Sequence, residues 1–129
     1  MRAIDTNIVV RYVTGDDVGQ ALRVRRLVDT GDIYIPTTVI LESEWVLRTA
    51  YRFGRAAIIA ALRSFIGLPG VTVEDPDRLT IALDWAAEGL DLADALHLSG
   101  ARNCTAFVSF DRALARAAAK LPAIAIVEP

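Results

Sequence analysis

Apolar positions along the chain follow two rhythms. Short runs rich in aliphatic and β-branched residues recur at 2–4, 33–35, 71–73, 106–108 and 124–127, and each has the length of a buried strand. Between them, apolar residues return every three or four positions, the spacing of a helix with one buried face. This predicts helices over 8–12, 18–30, 38–53, 55–66, from Pro76 towards Gly89, 92–102 and 112–121. Gly31, Gly54, Gly67 and Gly89 stand where helix C-caps are expected. Asp75-Pro76 reads as an N-cap followed by proline in the first turn. Strands alternating with helices predict an α/β domain with a mostly parallel sheet. In such a sheet the strand C-termini gather at one edge, where ligands bind.

The chain has 129 residues, enough for one domain with its own core, predicted to span 1–129. Its hydrophobic fraction of 53% excludes disorder and is high for this size, which predicts an oligomer or partner interface. The longest apolar run, 56–62, is far below the roughly 20 residues that cross a bilayer. Asp5, so close to the start, speaks against a secretory signal. Cys104 is the only cysteine, so neither an internal disulfide nor a thiolate zinc cage is available, and a cytoplasmic location is expected. A net charge of −2 argues against a nucleic-acid binder that works by bulk charge. An enzyme that meets nucleic acid through a bound cation stays open.

The candidate chemistry is acidic. Asp5 follows the first expected strand, and Asp111 lies just past the fourth, so both point to the same sheet edge. Asp91 and Asp94 open the helix over 92–102, and Glu42 and Glu44 lie within the helix over 38–53. Singly, Asp5, Asp94 and Asp111 read as helix caps. Glu44 lies four residues before Arg48, the favourable order for a helix ion pair. Glu42 interrupts an apolar stretch and needs another reason. Carboxylates gathered at about 4 Å, with an effective dielectric near 20, repel by about 4 kcal/mol per pair. Protons or a hard cation relieve that repulsion, and oxygen-only ligands suit Mg²⁺ or Mn²⁺.

His97 is the only histidine, which excludes a two-histidine nuclease. It is expected as a local partner of Asp94 or a half-buried core residue. Cys104 is expected as a small buried hydrophobe. No phosphate loop of the GxxxxGK[ST] type is present.

At this point the residues resemble a family. Ala3-Ile4-Asp5-Thr6-Asn7 and the apolar run after it look like the opening of a PIN-domain ribonuclease, most closely the VapC-type toxins of bacterial toxin–antitoxin pairs. Segment 36–48 around Glu42, segment 90–97 around Asp94 and segment 107–112 around Asp111 are similar to the family's next three signatures, in order. The resemblance implies a three-layer α/β/α sandwich around a five-stranded, mostly parallel sheet. It implies a Mg²⁺- or Mn²⁺-dependent endoribonuclease whose acids are Asp5, Glu42, Asp94 and Asp111. Asp5 and Asp94 are then the main metal ligands, with Glu42 and Asp111 completing the site directly or through water. Thr6, Asn7, Asp91 and Ser109 support it, Ser109 standing where Thr is commoner. Arg48, Arg52 and Arg112 are weaker candidates for RNA contact, with Arg55 and Arg116 beside them. The resemblance also implies a homodimer and a small antitoxin partner.

Three other readings compete. A phosphate-accepting receiver domain usually needs a lysine at the end of its last strand, and Lys120, the only lysine, precedes the last expected strand. A PIN fold that binds RNA or protein without cutting remains the main alternative, and a PIN-like DNA nuclease a lesser one.

Overall fold

The computed structural model describes all residues from 1 to 129. Two compact units emerge, Met1–Asp75 and Pro76–Pro129. Seven helices and five short strands make this a mixed α/β chain. No helix is long and apolar enough to cross a membrane.

The first unit runs β1 (Arg2–Ala3), α1 (Thr6–Thr14), α2 (Val18–Thr30), β2 (Ile33–Ile35), α3 (Thr37–Thr49), α4 (Arg55–Ile66) and β3 (Val71–Val73). Its strands form a parallel sheet in the order β1-β2-β3, with Ile33 opposite Arg2 on one side and Val71 on the other. Ile33 and Ile35 in the central strand are fully buried, as are Val9, Ile40, Leu47 and Leu62 from the helices. That is the expected fate of a parallel sheet's middle strand and of the helix stripes that cover it. Tyr12 meets Phe65 edge-on with ring centroids 4.9 Å apart, an arrangement that suits the aromatic quadrupoles. At the sheet's entry Gly31 and Gly70, both with positive φ, bring their backbones together, and Ile33 N–H donates to Gly70 O at 2.9 Å.

The second unit runs α5 (Pro76–Ala87), α6 (Leu92–Gly100), β4 (Phe107–Val108), α7 (Arg112–Ala118) and β5 (Ile126–Val127). Leu79, Leu83 and Ala86 of α5 and Ala95, Leu96 and Leu98 of α6 are buried. The two strands pair in parallel, Phe107 opposite Ile126.

Several expectations need correction. The strands form a three-stranded and a two-stranded sheet, not one of five. β1, β4 and β5 are only two residues long, so each offers very few ladder hydrogen bonds. The helix expected to reach 53 stops at Thr49: Arg52 adopts φ +57° and Phe53 N–H turns back to Leu47 O. Gly54, expected as a C-cap, is instead the residue before α4 with an extended backbone. Cys104 is exposed rather than buried, because it falls in the turn after α6, where its N–H bonds Ala101 O.

Candidate active site

Asp5 leaves β1 with extended backbone angles and starts α1, its Oδ1 accepting from Thr6 N–H at 2.7 Å. A short polar side chain at this position satisfies a donor that the helix cannot. The other carboxylate oxygen stays free. Glu42 projects from α3 into the same cavity of about 280 Å³, which Thr6, Asn7, Val10, Arg11, Val46 and Tyr51 also line. Asp5 and Glu42 are both exposed, so neither carboxylate has been forced into a dry core. Thr6 Oγ1 is buried without a hydrogen-bond partner, an atom that a water or ligand in this cavity can satisfy. Glu44 faces elsewhere and holds Arg48 Nε at 2.8 Å, the helix pair expected from its spacing. Of the two glutamates, Glu42 is therefore the one brought together with Asp5.

Arg11 is the only cation lining this cavity, and sequence reading passed it over. Its Nη1 bonds Asp16 Oδ1 at 2.9 Å and Tyr51 OH at 3.3 Å, while its Nε bonds Gln20 at 2.7 Å. Tyr51 OH in turn donates to Asp16 Oδ2. Desolvation opposes the Arg11 charge, but Asp16 and Tyr51 outweigh it and raise the guanidinium pKa above its ordinary value. The Tyr51 hydrogen bond leads the effects that lower Asp16 below 3.8, against its own desolvation. The network is thus an ionised pair under a phenol, and it pins the end of α1 to the turn after α3. The only hint in the sequence was a single arginine inside an apolar helical stretch.

In the second unit the capping roles differ from those expected. Asp91, not Asp94, caps α6, accepting from Asp94 N–H at 3.2 Å. Asp94 lies one turn in, half-buried and relieved of capping. Burial raises its carboxyl pKa above the usual 3.8, with further contributions from the charges of Asp91 and Asp111, and His97 only partly offsets them. His97 itself is exposed and stacks on Phe107 at 6.5 Å, neither core nor hydrogen-bonded to Asp94. Asp111 caps α7 through Leu114 N–H at 2.9 Å, and Ser109 Oγ accepts from Asp111 N–H at 3.0 Å. The hydroxyl of Ser109 thus shapes the turn that presents Asp111.

Two predictions follow from these roles. Asp111→Asn keeps the cap and leaves stability nearly unchanged, whereas Asp111→Ala costs about 1 kcal/mol, read as a shift in denaturation midpoint. For Asp94 the folded chain holds the proton more tightly than the unfolded chain. Its favourable contribution is complete below about pH 3.8 and is lost as pH rises through the elevated native value. Asp94→Asn in EDTA therefore melts above the parent protein at neutral pH, and the gain disappears as the buffer is taken below pH 3.8.

Of the arginines expected near RNA, Arg48 is tied to Glu44 and Arg112 to Glu128 at 3.3 Å, while Arg52 occupies the left-handed turn after α3. No group of three or more His, Cys, Asp or Glu side chains is drawn together tightly enough to hold a metal ion. Within each unit the candidate donors are nevertheless of the kind that suits a hard divalent cation. All are carboxylate oxygens, Asp5 and Asp111 each spend only one oxygen on a cap, and Asp94 lies among like charges. No curated protein matches the chain. The family model for the PIN domain matches residues 3–120, and the chain belongs to the PIN domain family.

Proposed function

We propose that this PIN domain is a Mg²⁺- or Mn²⁺-dependent endoribonuclease and the toxin of a bacterial toxin–antitoxin pair. PIN domains are generally nucleases that use divalent metals. The observation that carries the reading here is the cavity that Asp5 and Glu42 both line with only one cation, Arg11, already neutralised by Asp16. We assign Asp94 and Asp111 to the same reaction on their motif positions and on the unrelieved charge around Asp94.

In this assignment Asp5 and Asp94 hold the cation, and Glu42 and Asp111 complete its surroundings directly or through water. When bound, the cation supplies positive charge to the phosphodiester and a water of lowered pKa. The protein's own part in this reading is to supply carboxylate oxygens to the cation. The Asp5 and Asp111 caps fix two carboxylates at helix starts, and Thr6 and Ser109 hold the turns around them. Asp91 caps α6, which carries Asp94, and Asn7 lines the cavity beside Asp5. Hydrolysis of this kind has no need of the ribose 2′-hydroxyl, so it leaves 5′-phosphate and 3′-hydroxyl ends. The family resemblance further supports a homodimer and a small antitoxin that covers the acidic cavity.

The test uses partner-free protein and structured RNA in Mg²⁺, Mn²⁺ or EDTA, with end-group analysis of products. Metal-dependent cleavage leaving 5′-phosphates supports the nuclease. A folded, partner-free sample that binds RNA but never cuts it replaces this reading with a PIN-fold binding module.

A further inference from the structure

Beside the acidic cavity, α1 and α2 enclose a second cleft of about 540 Å³, the size of an ordinary small-ligand site. Asn7 and Arg11 line both spaces, so the two adjoin. The polar part of the cleft consists of Asn7, Arg11, Gln20 and Arg23, and its apolar floor includes Val24 and Leu27. Gln20, Arg23, Val24 and Leu27 share one face of α2 by their i, i+3, i+4 and i+7 spacing. No carboxylate lines this cleft. Arg23 is exposed and enters no ion pair or hydrogen bond, unlike Arg11, whose Nε and Nη1 are engaged.

We propose that the α1–α2 cleft is a subsite for the RNA strand flanking the scissile bond, with Arg23 as its phosphate-binding cation. This rests on the nuclease reading and adds the path of the substrate. Arginine suits a phosphate because its planar fork matches two oxygens. The amides of Asn7 and Gln20 supply further donors, and the floor of Val24 and Leu27 accepts the face of a base or ribose. A chain leaving the Asp5–Glu42 cavity passes Arg11, which is paired with Asp16, and arrives at Arg23 through a cleft that no carboxylate lines. A cleft built for an acidic or aliphatic peptide would make the same use of Leu27, so the experiment separates the two.

The affinity of a fluorescent, non-cleavable 2′-O-methyl RNA oligonucleotide is followed by anisotropy in EDTA, across a salt series. Arg23→Glu weakens binding by about tenfold, the scale of one charge-assisted contact. It also flattens the dependence of log Kd on log salt by about 0.7 for the lost phosphate. Arg23→Gln shows an intermediate loss. Asp5→Asn, in contrast, slows cutting of an unmodified RNA by about 10²–10³-fold without weakening this binding. If Arg23→Glu and Leu27→Asp both keep full RNA affinity while folding normally, the subsite is wrong and the cleft belongs to a protein segment. Because the readout is binding in EDTA, a protein that binds RNA through Arg23 but never cuts it overturns the nuclease reading alone.

Discussion

Asp5→Asn lowers the rate of RNA cleavage by about 10²–10³-fold, the effect of removing one preorganised charge from a transition state. It leaves the unfolding midpoint close to that of the parent. The contrast follows from the division of labour within one carboxylate. Oδ1 accepts from Thr6 N–H at 2.7 Å, and an asparagine side-chain oxygen accepts the same bond, so α1 keeps its cap. What asparagine lacks is the charge of the whole group, which faces the cavity shared with Glu42. Asp5→Ala is the complementary variant, losing both the charge and the cap and melting lower. A cleavage assay paired with thermal unfolding reads both effects. Loss of stability in Asp5→Asn without loss of cleavage would reduce Asp5 to a cap.

Gly70→Ala is the largest expected change in stability. A Cβ on Gly70 would stand 2.6 Å from Gly31 Cα and 3.1 Å from Asp32 N, both backbone atoms that cannot swing aside. The residue also has φ +77°, where a side chain adds about 1–2 kcal/mol of steric cost. Overpacking adds about 1–3 kcal/mol, and the stiffer unfolded chain returns less than about 1 kcal/mol. The sum, about 2–4 kcal/mol, is a large share of an ordinary domain's stability. A drop of roughly 10 °C in unfolding midpoint is expected at this chain length. Gly15 is the internal comparison. It also has a positive φ, +62°, but a Cβ there meets nothing within 4 Å, so Gly15→Ala bears only the conformational part. Equal effects at the two positions would show that the Gly31–Gly70 contact is not what makes Gly70 necessary.

How far the sequence could be read depended on the range of the interactions involved. β2 and β3 were legible because their β-branched runs are bounded by glycine and proline and need no distant partner to be recognised. Asp5 and Asp111 were legible as caps for the same reason. The end of α3 was not: Gly54 is the obvious stop in the sequence, yet Arg52 enters the left-handed region first and ends the helix at Thr49. Local propensity ranks glycine above arginine there, and the turn holding Tyr51 over Asp16 overrides it. That network joins residues 35 and 40 positions apart, beyond any periodic pattern. By residue type Asp91 and Asp94 are equally suited to cap α6. Backbone geometry decides between them and leaves Asp94 as the carboxylate without a structural task. Residue type alone puts Cys104 inside, and the turn that follows α6 puts it outside.

The proposed function requires acids from both ends of the chain to serve one reaction. The most direct test measures kcat/KM for Asp5→Asn, Asp94→Asn and the double variant on one RNA under saturating Mg²⁺. Groups that act as a unit are strongly non-additive, so the double variant should be scarcely worse than the worse single one. Losses that multiply would mean that Asp5 and Asp94 act independently, and would contradict a shared catalytic site.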